Sequence, residues 1–289
     1  MQFVPVVDSN QRPLMPTTPK RAQRWITSGK ATPFFRKGIF CVRLNVEPSS
    51  HYLQPVAVGI DPGSKREGYT VKSKVHTYLN QQFHAVDWVK DAEEASTNAR
   101  RARRYRKTPY RAHRQNRSCG GIPPSTKARW QFKIRVVKAL SSMFPISHIG
   151  IEDVKAITKK GCKRWDTSFS PLEVGKKWCY SELEKIAQLT IFEGFEDTYT
   201  TRQALGLLKS KDQLSNKFEA HCVDSWVLAY LLVGGDSKPD NTAVVECKPI
   251  RLHRRQLHVF NPSTNGDRRP YGGSRSQGLN RGGIVKHHK

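Results

Sequence analysis

The sequence predicts an α/β fold: a mixed sheet flanked by helices, interrupted by an arginine-rich helix, with a small N-terminal unit before it and a basic, β-rich segment after it. Three observations predict this. Two short apolar runs, Val56-Ala57-Val58-Gly59-Ile60 and His148-Ile149-Gly150-Ile151, each end on a carboxylate, Asp61 and Glu152. They read as buried strands that present acids at their tips. The apolar stretch Glu219 to Val233 reads as a helix on which His221 and Asp224, three residues apart, share a face. Between the two strands lies a segment, residues 95–117, dense in arginine and free of acids.

Composition bounds the partners. Lys and Arg number 50 against 24 Asp and Glu, a formal net charge of +26. Such an excess opposes the compact state through self-repulsion unless a polyanion neutralises it, so nucleic acid is the expected partner. No run of about 18 apolar residues occurs, and no membrane partner is expected. Met1 to Val7 has no basic, signal-like start. The cysteines stand at 41, 119, 162, 179, 222 and 247 without a Cys-x-x-Cys pair. No zinc is expected, and scattered thiols suit a reducing cytoplasm.

In chain order, residues 1–48 form the small unit. Gln2 to Val7 is a strand, Asp8 to Gln11 a turn, and Pro13-Leu14-Met15-Pro16 a rigid apolar segment. Thr18 caps a helix with Pro19 at its first position, running to about Ser28. Phe34 to Val46 is one further strand. Residues 49–90 carry the Asp61 strand, a Pro62-Gly63 turn, a return strand Glu67 to Val75 and a third strand, about Phe83 to Val89. Three antiparallel strands, a helix and then an acid-bearing strand is the order of a ribonuclease-H-like fold.

Residues 91–118 are the arginine helix. Arg100, Arg101, Arg103, Arg104, Arg106, Lys107, Arg111, Arg114 and Arg117 are spaced around its whole circumference, so it has no apolar stripe and no place in a core. Against phosphates it would neutralise charge and release counterions; without them it is a solvated basic run. Tyr105 and Tyr110 interleave, and Pro109 kinks or ends the first half. Residues 119–199 hold a linker, a helix Trp130 to Phe144, the Glu152 strand, a loop over 156–170, a helix Pro171 to Gln188 and a buried strand Thr190 to Phe195. Residues 200–235 are a mixed basic stretch followed by the His221 helix. Residues 236–289 are polar and basic, with Arg254 and Arg255, and with short strands expected at Val259-Phe260 and Gly283-Ile284-Val285.

Two strand-tip acids and a helix-borne His/Asp pair can converge on divalent cations. Hard oxygen ligands suit Mg²⁺ or Mn²⁺. Two such ions about 4 Å apart clamp the attacking and leaving oxygens of a phosphodiester. The plainer readings are a turn aspartate at Asp61 and, at Asp224, an acid complementing the helix dipole.

Pro13-Leu14-Met15-Pro16 is also a PLMP motif. With Gly59-Ile60-Asp61-Pro62-Gly63, Arg100-Arg101-Ala102-Arg103-Arg104 and Arg254-Arg255-Gln256-Leu257-His258, ordered over nearly the whole chain, it resembles the RRXRR or IscB-like family of transposon-encoded, RNA-guided nucleases. The resemblance implies a PLMP domain at 1–48 and a RuvC-like nuclease of ribonuclease-H-like fold. Its acids would be Asp61, Glu152 and Asp224, with His221 beside them and two Mg²⁺ ions as cofactor. The arginine run would be a bridge helix for a guide RNA, and the C-terminal part, with Arg254 and Arg255, would read a motif beside the target DNA. A prokaryotic cytoplasm, beside the nucleoid, goes with such a protein.

One departure narrows the resemblance. IscB carries an HNH nuclease between its second and third RuvC segments, and HNH chemistry needs a histidine. No histidine lies between Ile149 and Ala220. The chain therefore resembles IsrB, the relative without HNH, and the implied activity is nicking of the displaced DNA strand. A non-catalytic RNA-binding protein and a guide-independent junction resolvase remain as alternatives.

Overall fold

The computed structural model describes residues 3–48, 50–105, 121–155, 170–212 and 214–249, with the short strands Arg275–Ser276 and Leu279–Asn280. The chain divides into two units, 1–248 and 249–289. Arg106, Lys107, Arg111, Arg114, Arg117, Arg254 and Arg255 lie outside the described residues, as do the strands expected near 259 and 284.

The N-terminal segment folds as a four-stranded sheet with one helix. Strands β1 (Val4–Val7), β2 (Pro13–Thr17), β3 (Ala31–Arg36) and β4 (Ile39–Leu44) run in the order β2-β1-β4-β3. Helix α1 (Pro19–Thr27) starts with Pro19 at its first turn. Val4, Val6, Ala22, Ala31, Val42 and Leu44 form its core. The PLMP segment is itself a strand. Proline cannot donate to a ladder, and β2 sits on the sheet edge, where that loss is harmless. The single strand expected from Phe34 to Val46 is a hairpin. Lys37 and Gly38 turn with φ of 51° and 82°, the left-handed pair that a two-residue hairpin requires.

The main sheet has six strands: β5 (Val56–Asp61), β6 (Arg66–Ser73), β7 (Thr77–His84), β8 (His148–Glu152), β9 (Gln188–Phe192) and β10 (Val244–Cys247). Their order is β10-β7-β6-β5-β8-β9. β6 is antiparallel to β5 and β7, while β8 runs parallel to β5 and β9 parallel to β8. Setting aside β10, which joins β7 in parallel, the order is third, second, first, fourth, fifth. That is the ribonuclease-H-like arrangement of a RuvC fold.

Period-two alternation assigns the two faces. Val56, Val58, Ile60, Tyr69, Val71, Ile149 and Ile151 join the core formed with helices α3 (Pro124–Ser141) and α4 (Pro171–Glu184). Gly59, Gly68 and Gly150 face the other way, against residues of α6 (Phe218–His221) and α7 (Val223–Val233). Asp61 follows Gly59 by two on β5, and Glu152 follows Gly150 by two on β8, so both acids take the α7 side.

Four elements depart from expectation. The third strand is Thr77–His84, not Phe83–Val89, because its inward side chains are polar: Asn80 and Gln82 are fully buried. Asn80 Nδ2 donates to the Asn241 carbonyl at 2.9 Å, which ties the loop before β10 to the sheet. Strand β9 is a half-exposed edge strand, with Ile191 47% exposed, where a buried one was expected. The stretch Glu219–Val233 is two helices, broken at Cys222 with φ −107° and ψ −11°. The arginine helix α2 (Trp88–Arg104) begins earlier than expected and has an apolar start, where Val89 is buried.

Candidate active site

Strand register brings the first two acids together. Ile60 pairs with Ile151 across β5 and β8, so Asp61 and Glu152 end neighbouring parallel strands. Asp224 comes down on them from the first turn of α7 and is 3% exposed. Glycines permit that descent. A Cβ on Gly59 would lie 1.9 Å from the Ser225 carbonyl oxygen, and one on Gly68 would lie 1.8 Å from that of His221. Thr70 Oγ1 on β6 and Ser225 Oγ on α7 then meet at 2.9 Å.

The three acids form one electrostatic set. Asp61 keeps partial solvent access, yet burial pushes its carboxyl up to about 7, with the charges of Asp224, Glu152 and Glu67 adding to the rise and Lys209 opposing it. Glu152 is also raised, by burial first and Asp224 second. Asp224 is held by two cations: Arg202 Nη1 binds Oδ1 and Lys209 Nζ binds Oδ2. Burial works against the Lys209 charge, but Asp61 and Asp224 outweigh it and leave its pKa raised.

A π-helical turn, Gly194–Tyr199, braces the cluster and leads into α5 (Thr200–Ala204). Gly194 packs so closely on Glu152 that a Cβ there would stand 2.7 Å from Oε1. Thr198 is buried beside Glu152, near enough to lower its pKa. The Thr198 Oγ1 and Arg202 Nε atoms are buried without a hydrogen-bond partner at bonding geometry among the described residues.

The donor set suits a hard divalent cation. Three carboxylates supply oxygen ligands, and their mutual repulsion is what a cation would relieve. Among the described residues, no three His, Cys, Asp or Glu side chains stand close enough to hold a metal as they are. Lys209 and Arg202 occupy both Asp224 oxygens instead. With its side chain 41% exposed, Lys209 has solvent to retreat into.

Asp61, Glu152 and Asp224, the acids the sequence singles out, lie within electrostatic reach of one another. His221 closes α6, half-buried, with its carbonyl oxygen packed on Gly68. Arg100, Arg101 and Arg104 are exposed on α2, and Arg103 lies on the same helix. Sequence reasoning missed Arg202, Lys209 and the π-helical turn. The only signal for Arg202 and Lys209 was the basic character of the stretch from Thr201 to Lys217, and the turn before it left none.

No curated protein matches the chain. Among solved structures, Thermus thermophilus RuvC in complex with a Holliday junction substrate aligns at 13% identity, with 63% of this chain and 97% of that one covered and a TM-score of 0.32. The yeast mitochondrial Holliday junction resolvase Ydc2 aligns at 13% identity over 63% of this chain and 78% of its own, with a TM-score of 0.30. Superpositions this loose carry no weight, and the fold rests on strand order. The RRXRR protein family matches residues 4–164, more than half of the 289, and the chain belongs to that family.

Proposed function

We propose that this protein is an RNA-guided DNA endonuclease that nicks the displaced, non-target strand at the Asp61–Glu152–Asp224 cluster. The observation that carries the reading is the convergence of three carboxylates at one end of a ribonuclease-H-like sheet, in a chain whose formal net charge is +26. A basic protein concentrates nucleic acid around itself. An acid cluster within it makes sense only if cations join it before phosphate does.

Asp61, Glu152 and Asp224 are the residues that would hold two Mg²⁺ ions, with Mn²⁺ as a substitute. Such ions would polarise the phosphodiester and stabilise the attacking and leaving oxygens. Asp61 and Glu152 approach from the strand side and Asp224 from the helix side, so the reacting phosphate is bracketed rather than bound on one flank. His221 orients the attacking water or contacts the leaving phosphate. Arg100, Arg101, Arg103 and Arg104 hold the guide RNA and its hybrid with the target strand through phosphate contacts. Base pairing then reads sequence, while the protein reads hybrid shape. The segment after 249, with Arg254 and Arg255, reads the motif beside the target.

Support for a single cut comes from the sequence: no histidine lies between Ile149 and Ala220 to build a second nuclease centre. The test is a denaturing gel with each DNA strand labelled separately, in the presence of Mg²⁺ and the RNA that co-purifies with the protein. One nick on the non-target strand, at a fixed offset from the adjacent motif, is the expected product, and Asp61→Ala abolishes it while RNA stays bound. Equal cutting of both strands would reveal a second active site. Cutting of branched DNA without RNA would make the protein a junction resolvase, and RNA binding with no cutting would make it a non-catalytic partner of the transposon.

A further inference from the structure

Beside the acid cluster stands a pair of aromatic rings that the chemistry above does not use. Phe195 is 74% exposed and Tyr199 is 42% exposed. Their rings stack at a centroid distance of 5.4 Å with an interplanar angle of 8°. Both lie on the π-helical turn. The amide of Thr198 donates to the Glu193 carbonyl five residues back, at 3.2 Å, the hydrogen bond of a π-helical turn.

The turn is tied to two of the acids. Gly194, next to Phe195, abuts Glu152, and Thr198, next to Tyr199, is buried beside it. The Arg202 guanidinium lies 5.4 Å from the centre of the Tyr199 ring while its Nη1 holds Asp224. The turn that carries the rings is thus packed against the acid cluster. Large aromatic faces left in water beside a catalytic centre invite a flat, apolar partner.

Charge narrows what that partner is. Glu196 and Asp197 lie on the same turn, and Glu193 just before it. Glu193 pairs with Lys155 at 2.6 Å, and Asp197 Oδ2 accepts from the Glu193 amide at 2.7 Å. These acids disfavour a phosphate against the rings themselves. Cations stand at the acid cluster, where Arg202 and Lys209 both hold Asp224. The arrangement suits a strand whose phosphate enters the acid cluster while its base turns outward.

We propose that Phe195, backed by Tyr199, is a stacking platform for an unpaired base of the single DNA strand next to the phosphate being cut. The proposal rests on the nuclease reading of the acid cluster and adds a base-binding position to it. A paired base cannot present its face to the ring, so the platform selects the displaced strand over duplex. Every base has a π-face, so it does so without regard to sequence.

The probe is an oligodeoxythymidylate of about ten nucleotides carrying one 2-aminopurine, titrated with the full-length protein and chelator present. Wild type should bind it and quench its fluorescence. Phe195→Ala should weaken binding about tenfold and lose the quench. Phe195→Leu keeps an apolar side chain of similar bulk without a π-face, and it should lose the quench as well. Quenching retained in either variant, or affinity unchanged in both, overturns the platform. Asp61→Ala with the quench intact in this assay, and with cutting lost in the guide-dependent assay run in Mg²⁺, supports platform and cluster together. Guide-dependent cutting by a wild type that never quenches overturns the platform alone. Quenching by a wild type that never cuts supports the platform and removes the nuclease reading.

Discussion

Asp61 carries the sharpest consequence of the site's electrostatics. Its folded pKa, raised to about 7 from an ordinary 3.8, means that the folded protein binds its proton more tightly than the unfolded chain does. The sign follows from linkage: stability falls as pH rises between those two values, and the full penalty is present above them. In chelator, Asp61→Asn should therefore raise the melting temperature at pH 8 and change it little near pH 4, read by circular dichroism. Added Mg²⁺ should shrink the difference at pH 8. Equal effects at both pH values would mean that the Asp61 charge costs the fold nothing. At this same scale the sequence showed the two strand-tip acids clearly, because an apolar run that stops at a carboxylate is a local signal. Lys209 and Arg202 were invisible for the opposite reason. Nothing in the spacing of basic residues along a loop says which of them folds back onto Asp224.

Elements meet at glycines in this protein. Helix α7 can lie on the sheet only because β5 and β6 present hydrogen atoms, not methyl groups, beneath it. Gly59→Ala would drive a Cβ into the Ser225 carbonyl, a backbone atom with no rotamer to escape into. The expected cost is about 3 kcal/mol or more, read as a lower urea midpoint at unchanged m-value. A loss under about 0.5 kcal/mol, the usual range of a surface substitution, would mean that helix and sheet can part freely. The arginine helix makes a different prediction. Replacing Arg100, Arg101, Arg103 and Arg104 with alanine should reduce the slope of log affinity for RNA against log salt by roughly 0.7 to 0.9 per lost phosphate contact. An unchanged slope would leave the run as a solvated face. Among the elements, β5 and β8 were legible from their apolar runs. Strand β7 was not, since Asn80, Gln81 and Gln82 read as surface, yet they are buried. The break at Cys222 was hidden too, because an apolar sequence continues across it without proline or glycine.

Over the molecule as a whole, the two faces of the main sheet are held by opposite means. On the α3 side, aliphatic and aromatic packing surrounds one ion pair, Glu67 with Lys133 at 2.6 Å, to which the Tyr69 hydroxyl also donates. On the α7 side, glycines, the Thr70–Ser225 contact and the charged cluster take over. Glu67 lies one residue before Gly68, across the sheet from the acids, and still adds to the rise in the Asp61 pKa. The formal net charge of +26 belongs to the sequence as a whole, and the acid cluster is a local inversion of it. Guide-dependent nicking tests whether that inversion is where the reaction happens.

The grip of Lys209 and Arg202 on Asp224 also sets an order of assembly. Small metal domains fold when their ion arrives, since their ligands have no other counter-charge. Here the counter-charge to Asp224 is encoded in the chain, so folding need not wait for an ion, and the divalent cations proposed above would join a cluster that is already folded. Chelation should accordingly leave the far-ultraviolet circular dichroism unchanged and the melting temperature within a few degrees of that measured in excess Mg²⁺. Unfolding on chelation would show instead that ion and fold are inseparable.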